Sequence, residues 1–353
     1  MRISRRQFVK AMAAMSAASM LAACGGNSGS GSSGGKKALT FQIWDVAQKE
    51  GMEAMCAAYT QQHPEVSIEV QVTSWNEYWT KLEAAATSNQ MPDIFWMHTN
   101  EILKYADNGM LADCSDIVEK DKFSEISLSN AMGSNGTLYA VPKDKDTVGL
   151  VYNKEMFDAA GVAYPDESWT WDDLVSASEK IYAATGKYGY MAYADDQLGY
   201  WNFVYQAGGY ILNEDKTKAG FTQPATEKAM KFYIGLQQND WCPDQTYFAE
   251  TAPGTAFFSE KGAMFLEGDW NILAELQNYP EMVGKWDVAV LPKCPDPESG
   301  DGRATISNGL CYATAASNKN LDTVKDILKF FGSEEGQLSL IHISEPTRHA
   351  QIS

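Results

Sequence analysis

The sequence predicts an α/β protein of two lobes, each a mainly parallel sheet flanked by helices, hinged by strands that cross between them. Three observations carry this reading. From residue 38 onward, apolar alternating runs and helical patterns follow one another, the order that builds a largely parallel sheet. At 353 residues the chain is long enough for two separate cores. The stretch 138–161, LYAVPKDKDTVGLVYNKEMFDAAG, reads as strand, charged crossing, strand and helix. Leu138 to Val141 stops at Pro142, Lys143 to Thr147 is polar, and Val148 to Tyr152 is apolar again. Asn153 then opens a helical pattern with Met156, Phe157 and Ala160, which Gly161 is placed to end. A chain leaves one lobe for another in this way, although the same stretch alone also fits a buried strand pair within one domain.

Residues 1–24 read as an export signal. Ser4-Arg5-Arg6-Gln7-Phe8-Val9-Lys10 fits the twin-arginine pattern, and an Ala/Met-rich run follows. Leu21-Ala22-Ala23-Cys24 resembles the lipobox of bacterial lipoproteins, in which the cysteine is lipidated and becomes the mature N-terminus. The apolar run is short and rich in Ala and Ser for a membrane span. Residues 25–37 are dominated by Gly and Ser and form a flexible tether, reaching on the order of 20 Å. A lipid at Cys24 would hold the folded part just off a membrane.

Folded sequence begins near Ala38. Leu39 to Trp44 alternates as a strand, and Lys49 to Gln62 is helical with Met52, Met55, Cys56 and Tyr59 on one face. Val66 to Val72 alternates again, Trp75 to Ala86 is a second helix, and Asp93 to Met97 is a buried strand after Pro92, with Asp93 structural. Glu101 to Ala112 is helical until Gly109. In a parallel sheet, ligands gather at the carboxyl ends of the strands, here Trp44-Asp45, Ser74-Trp75 and His98-Thr99-Asn100. Past the crossing, Ser168 is placed to cap a helix whose first turn holds Asp172 and Asp173. Tyr188 to Tyr193 is strand-like and Thr226 to Gln238 helical. Phe257 to Trp270 gives helix, strand and turn. Trp286 to Leu291 and Leu310 to Ala315 are strands, and Lys319 to Phe331 is a helix with Leu321, Val324, Ile327, Leu328 and Phe331 on one side.

The net charge is −18. The leader holds four basic residues, Arg2, Arg5, Arg6 and Lys10, and no acid, so the remainder stands at −22. Such a surface repels phosphate backbones, which excludes nucleic acid as a partner, and it argues against anionic cargo. Six cysteines include Cys24. The other five are widely spaced, with no C-x-x-C or His-bracketed zinc pattern, so no metal is expected and no cofactor is implied. Disulfides and buried free thiols are both open.

Ten tryptophans and seventeen tyrosines suit a surface that grips flat apolar faces while bonding at their edges. A sugar offers such a face with a polar rim, so an indole beside Asp, Asn or an amide is the chemistry that would hold one. The candidates are Trp44-Asp45, Trp75, Trp96 with Thr99 and Asn100, Asp146, Tyr200-Trp201, Gly268-Asp269-Trp270 and Ser307-Asn308. Each alone serves as well in a core or a cap. Gly268 would let backbone approach a ligand.

Several motifs, in order, resemble the family 1 extracellular solute-binding proteins of ABC importers, the maltose-binding-protein-like branch. They are the lipoprotein leader, PDIFWMHTN at 92–100, GLVYNKEMFDAAG at 149–161, SWTWDDL at 168–174, AMFLEGDWN at 263–271, DVAVLP at 287–292 and AASNKNLDTVKDILKFF at 315–331. The resemblance covers residues 38–338 and implies a periplasmic-binding-protein-like fold. Crossings fall near 143–148, 287–291 and 312–316, so that 38–145 and 291–313 form lobe I and 146–290 and 314–338 form lobe II. It implies an exported, monomeric, non-enzymatic receptor, lipid-anchored on the outer face of the membrane. Such a receptor closes on a sugar or oligosaccharide and delivers it to permease transmembrane subunits, and family members place a stacking aromatic at the Trp270 position. Family members continue with more helices where this chain changes character, so lobe II reads as C-terminally truncated and 339–353 as non-native. Carriers of glycerol phosphate or other small solutes share the fold. An extracellular carbohydrate-active hydrolase stays open too, since its two carboxylates about 5–10 Å apart leave no mark in an acid-rich sequence. No nucleophile elbow or phosphate loop appears.

Overall fold

β1 (Lys37–Ile43), β2 (Val66–Val72) and β3 (Ile94–His98) form the parallel half of a first sheet. β1 pairs with β2 along its whole length and with β3 on its other side. This computed structural model describes residues 36–213 and 217–341. The export signal with Cys24, the tether up to 35 and the tail from 342 lie outside the described residues. β4 (Val141–Pro142) ends the chain's first visit to this sheet. β5 (Asp146–Asn153) opens a second sheet, where β6 (Tyr188–Tyr190) runs parallel to β7 (Gly262–Gly268), and β7 and β8 (Trp286–Ala289) flank β5 antiparallel. β9 (Ser307–Asn308) also pairs with β5, and β10 (Leu310–Ala313) returns to the first sheet between β3 and β4, antiparallel to both. The orders are β2-β1-β3-β10-β4 and β6-β7-β5-β8.

The first lobe is therefore parallel at its heart, as expected, but the second sheet is mainly antiparallel. β5 enters it directly from the crossing and both of its long neighbours run against it. The expected crossings also change. The described chain passes between sheets at 143–146 and again at Gly309, between β9 and β10. After β8 it stays on the second lobe, where Leu291 and Cys294 join that core. After β10 it stays on the first, where Leu111 bridges Ala315.

Residues 314–338, expected on lobe II, pack on lobe I. The helix Leu321–Phe331 puts Val324, Ile327, Leu328 and Phe331 into the first core. Phe331 lies 5.5 Å from Phe41 and 5.1 Å from Tyr312 between ring centroids. The helix Glu334–Ile341 runs on past the expected start of the foreign tail, with Leu340 filling the space that a Cβ on Gly51 would take. Ser168 bonds Asp166 instead of capping. The cap of helix Trp171–Thr185 is Thr170, in a reciprocal box with Asp173. Asp93 accepts from the Thr40 N–H at 3.0 Å and so ties β3 to β1. The five described cysteines are buried free thiols.

Phe331→Ala tests the placement of the C-terminal helix. Removing a buried ring between Phe41 and Tyr312 should cost about 3–5 kcal/mol, read by urea unfolding. A loss under about 1 kcal/mol, a surface-like value, would detach this helix from the first core.

Candidate functional site

The ends of β1, β3, β5 and β9 converge between the lobes on a cavity of about 380 Å³. Trp44 and Asp45 follow β1 directly, Gln48 precedes the helix Lys49–Gln62, Trp75 opens the helix Trp75–Thr87, and His98 closes β3. Asp146 and Asn308 come from the two crossings. From the second lobe come Asp195, Gln197 and Leu198, and Trp270, Asn271 and Ala274 on the helix Asp269–Asn278. The cavity thus has indoles on both sides and carboxylates and amides between them.

Trp44 is held edge-on by its neighbours, with ring centroids 5.0 Å from Trp75, 5.0 Å from Trp96 and 4.9 Å from Tyr78. Trp75 keeps 41% of its surface exposed, an open indole face beside the cavity. His98 is buried, and its Nδ1 accepts the N–H of Asn100 at 3.1 Å, which leaves Nε2 as the ring donor. Burial pushes its pKa down to about 4, against a smaller pull from Asp144, so the ring is neutral. Asp146 is the opposite case. Burial, then repulsion from Asp144 and Asp269, raises its carboxyl to about 7 despite nearby Lys143. Behind the helix Asp269–Asn278, Glu267 is likewise raised to about 7 by burial. Its Oε1 accepts from Gly268 N–H at 2.8 Å and Asn271 Nδ2 at 2.9 Å.

Six of the expected residues line the cavity together: Trp44, Asp45, Trp75, Asp146, Trp270 and Asn308. The other eight do not. Trp96 is wholly buried behind Trp44, because it sits mid-strand in β3 with both faces covered. Thr99 gives its N–H to Gly309 O at 3.3 Å and Asn100 gives its own to His98, so both shape the loop. Tyr200 packs near Tyr233 at 6.4 Å, and Trp201 begins the helix Trp201–Gln206 with a buried Nε1. Asp269 Oδ1 accepts the N–H of Thr147 at 3.1 Å, tying its helix to β5. Ser307 is opposite Thr147 in the β5–β9 pair. Gly268 makes no room for a ligand: a Cβ there would lie 2.3 Å from the Trp270 indole, so the space belongs to that ring. Gln48, His98, Asp195, Gln197, Leu198, Asn271, Ala274 and Leu310 were not among the expected contacts.

A cleft between two α/β lobes, floored by strand ends and walled by indoles, defines a two-lobed solute receptor. The sequence model of the bacterial extracellular solute-binding proteins matches residues 44–338, and the chain belongs to that family of exported binding proteins. It is 26% identical to the arabinooligosaccharide-binding protein of Bacillus subtilis (strain 168), covering 91% of this chain and 75% of the relative. It is 25% identical to the diacetylchitobiose binding protein DasA of Streptomyces coelicolor, covering 97% and 82%. The fold is shared with the ABC substrate-binding protein Lmo0181 from Listeria monocytogenes in complex with cycloalternan, at a TM-score of 0.75 and 24% identity over 86% of this chain and 77% of that one.

Two outcomes follow from this geometry. A carboxyl raised from 3.8 to about 7 on folding binds its proton more tightly in the native state, so stability falls as pH rises from about 4 to 7 and levels off above. Asp146→Asn should flatten part of that slope in urea unfolding at pH 4 to 8, leaving the share that Glu267 contributes with the same sign. An unchanged slope would refute the raised Asp146. Gly268→Ala should displace the Trp270 ring and change tryptophan fluorescence without unfolding the chain; a wild-type spectrum would show that the ring does not depend on that space.

Proposed function

We propose that this chain is the substrate-binding component of an ABC importer and that it captures a neutral sugar or oligosaccharide in the cleft by lobe closure. The observation that carries the reading is the pairing of Trp44 and Trp75 on one side with Trp270 on the other, around Asp45, Asp146, Asn271 and Asn308. Indole faces take the C–H faces of a pyranose, and carboxylates and amides take its hydroxyls. None of the residues lining the cavity is Lys or Arg, and His98 is neutral, which supports a ligand without negative charge. Relatives named for arabinooligosaccharide, diacetylchitobiose and lactose support the same class. A ligand touching both walls favours the closed arrangement over the open one. The closed form then hands its cargo to the permease transmembrane subunits, while a lipid at Cys24 keeps the receptor at the outer face of the membrane.

Calorimetry against neutral di- and trisaccharides, with lactose, maltotriose and diacetylchitobiose among them, tests this. At least one should bind, Trp270→Ala should weaken it about tenfold or more, and uronic or phosphorylated analogues should bind more weakly. Unchanged affinity in Trp270→Ala would remove that indole from the site. Release of products from a glycan would replace the binding reading with a hydrolytic one.

A further inference from the structure

Lys143 lies outside the cleft lining, yet every hydrogen on its ammonium group has a destination. The side chain is 4% exposed. Nζ sits 4.9 Å from the centre of the Trp96 ring, pairs with Asp144, and donates to Gln48 Oε1 at 2.8 Å. An ammonium can only donate, so Gln48 must turn its oxygen toward Lys143. The amide nitrogen then faces Asp45, to whose Oδ2 it donates at 3.0 Å, while Asp45 Oδ1 accepts the N–H of Ala47 at 2.8 Å. Gln48 keeps a second amide hydrogen and Asp45 keeps spare lone pairs, and both residues line the cavity.

We propose that Lys143 is a positioning residue that sets the hydrogen-bonding polarity of the cleft floor, with a donor at Gln48 and an acceptor at Asp45. The inference rests on the saccharide reading above and narrows it: the floor is built for two neighbouring hydroxyls, one accepting from Gln48 and the other donating to Asp45. The two ends of a glutamine amide are nearly the same size, so packing does not choose between them. Without Lys143 only Asp45 still orients the amide, whose oxygen loses its buried donor, so the Gln48 donor is held in place from one side instead of two. The buried Trp96, whose Nε1 has no partner among the described residues, has its place in the same device, because its π face seats the cation.

The test uses calorimetry on the full chain, with the tightest-binding of lactose, maltotriose and diacetylchitobiose and its monodeoxy analogues. For wild type, removal of one hydroxyl should cost about tenfold or more, since a site built to bond a hydroxyl rejects its absence. Lys143→Met should bind the parent sugar about tenfold more weakly, and the penalty at that same hydroxyl should shrink to about twofold. A merely structural role would lower all the analogues alike and leave the penalty in place. Should Lys143→Met fail to fold by circular dichroism, Gln48→Glu decides. It preserves an acceptor for Lys143 and replaces the donor beside Asp45, so the chain should fold as wild type and lose about tenfold or more in affinity. A full deoxy penalty in Lys143→Met, or wild-type affinity in Gln48→Glu, overturns the proposal. If wild type binds none of the sugars, the saccharide reading falls and this inference with it, an outcome visible before any variant is made.

Discussion

The architecture depends on one pinch, where the two passages of the chain between lobes touch. Lys143 gives its backbone N–H to Leu310 O at 2.8 Å, and Leu310 returns its own to Asp144 Oδ1 at 2.8 Å. Gly309 lies between them, where a Cβ would come within 2.7 Å of Asp144 O, so no side chain fits. Thr99 N–H closes on Gly309 O from β3. Asp146 stands two residues beyond this point and Asn308 two residues before Leu310, so the base of the cleft is positioned by backbone contact. On the far side, buried Asn202 holds the returning segment, accepting from Ile306 N–H at 2.9 Å while donating to Gln197 O at 2.7 Å. Gln197 in turn meets Asn308. The hinge is thus three residues long at the first crossing and one at the second, with ordered bonding to a different core on each side.

That narrowness lets opposite demands coexist in the cavity. Indoles need solid support to present a face, and Trp44 has it from Tyr78, Trp79 and Trp96. Carboxylates need water or donors, and burial without either is costly. The first crossing carries Asp144 and Asp146 close together, and only Asp144 has a direct cation partner. Asp146 accepts no hydrogen bond from the described residues, and its raised affinity for a proton is the electrostatic consequence. An acceptor left open in this way, within a shared groove of indoles and amides, differs from a structural carboxylate such as Asp93, whose Oδ2 takes the Thr40 N–H and hydroxyl and whose Oδ1 takes the Asn320 amide.

Much of the first lobe was legible because strands buried on both faces read as continuous apolar runs, and IFWMH in β3 is such a run. Strand direction in the second lobe was not legible, since periodicity is blind to which way a strand runs. The helix Leu321–Phe331 showed its apolar stripe plainly, but a stripe does not say which core it fills. Among the site residues, Trp44 could be placed because it follows the last residue of a strand, where side chains leave the sheet. Trp96 misled because it shares a segment with His98 while sitting in the middle of β3. Gln48, Gln197 and Asn271 carry no signal of their own as common polar residues; Asn271 had only its place beside Trp270. His98 falls at the end of β3, among the strand ends where ligands gather, but an imidazole lies outside the pattern of indoles beside acids and amides that selects the candidate contacts. Asp195 and Gln197 arrive through the kinked turn Asp196–Tyr200, whose backbone path no period announces.

The open acceptors of the cleft bear on how a receptor of this kind avoids closing empty. Drawing the lobes together without a ligand would strip water from Asp146, which accepts no hydrogen bond from the described residues, and from the lone pairs that Asp45 and Asp195 keep spare beside their protein donors, a cost that grows with each acceptor left unmet. The indoles pull the other way, since apposing Trp270 to Trp44 and Trp75 would remove apolar surface from water. A polyhydroxylated ring changes both sides of the balance. Its C–H faces fill the space between indoles that cannot fill it themselves, and its hydroxyls donate where the carboxylates wait. On the saccharide reading proposed above, closure is favourable because the ligand satisfies acceptors that the protein alone leaves open, and a preference for neutral hydroxyl donors follows from those same acceptors.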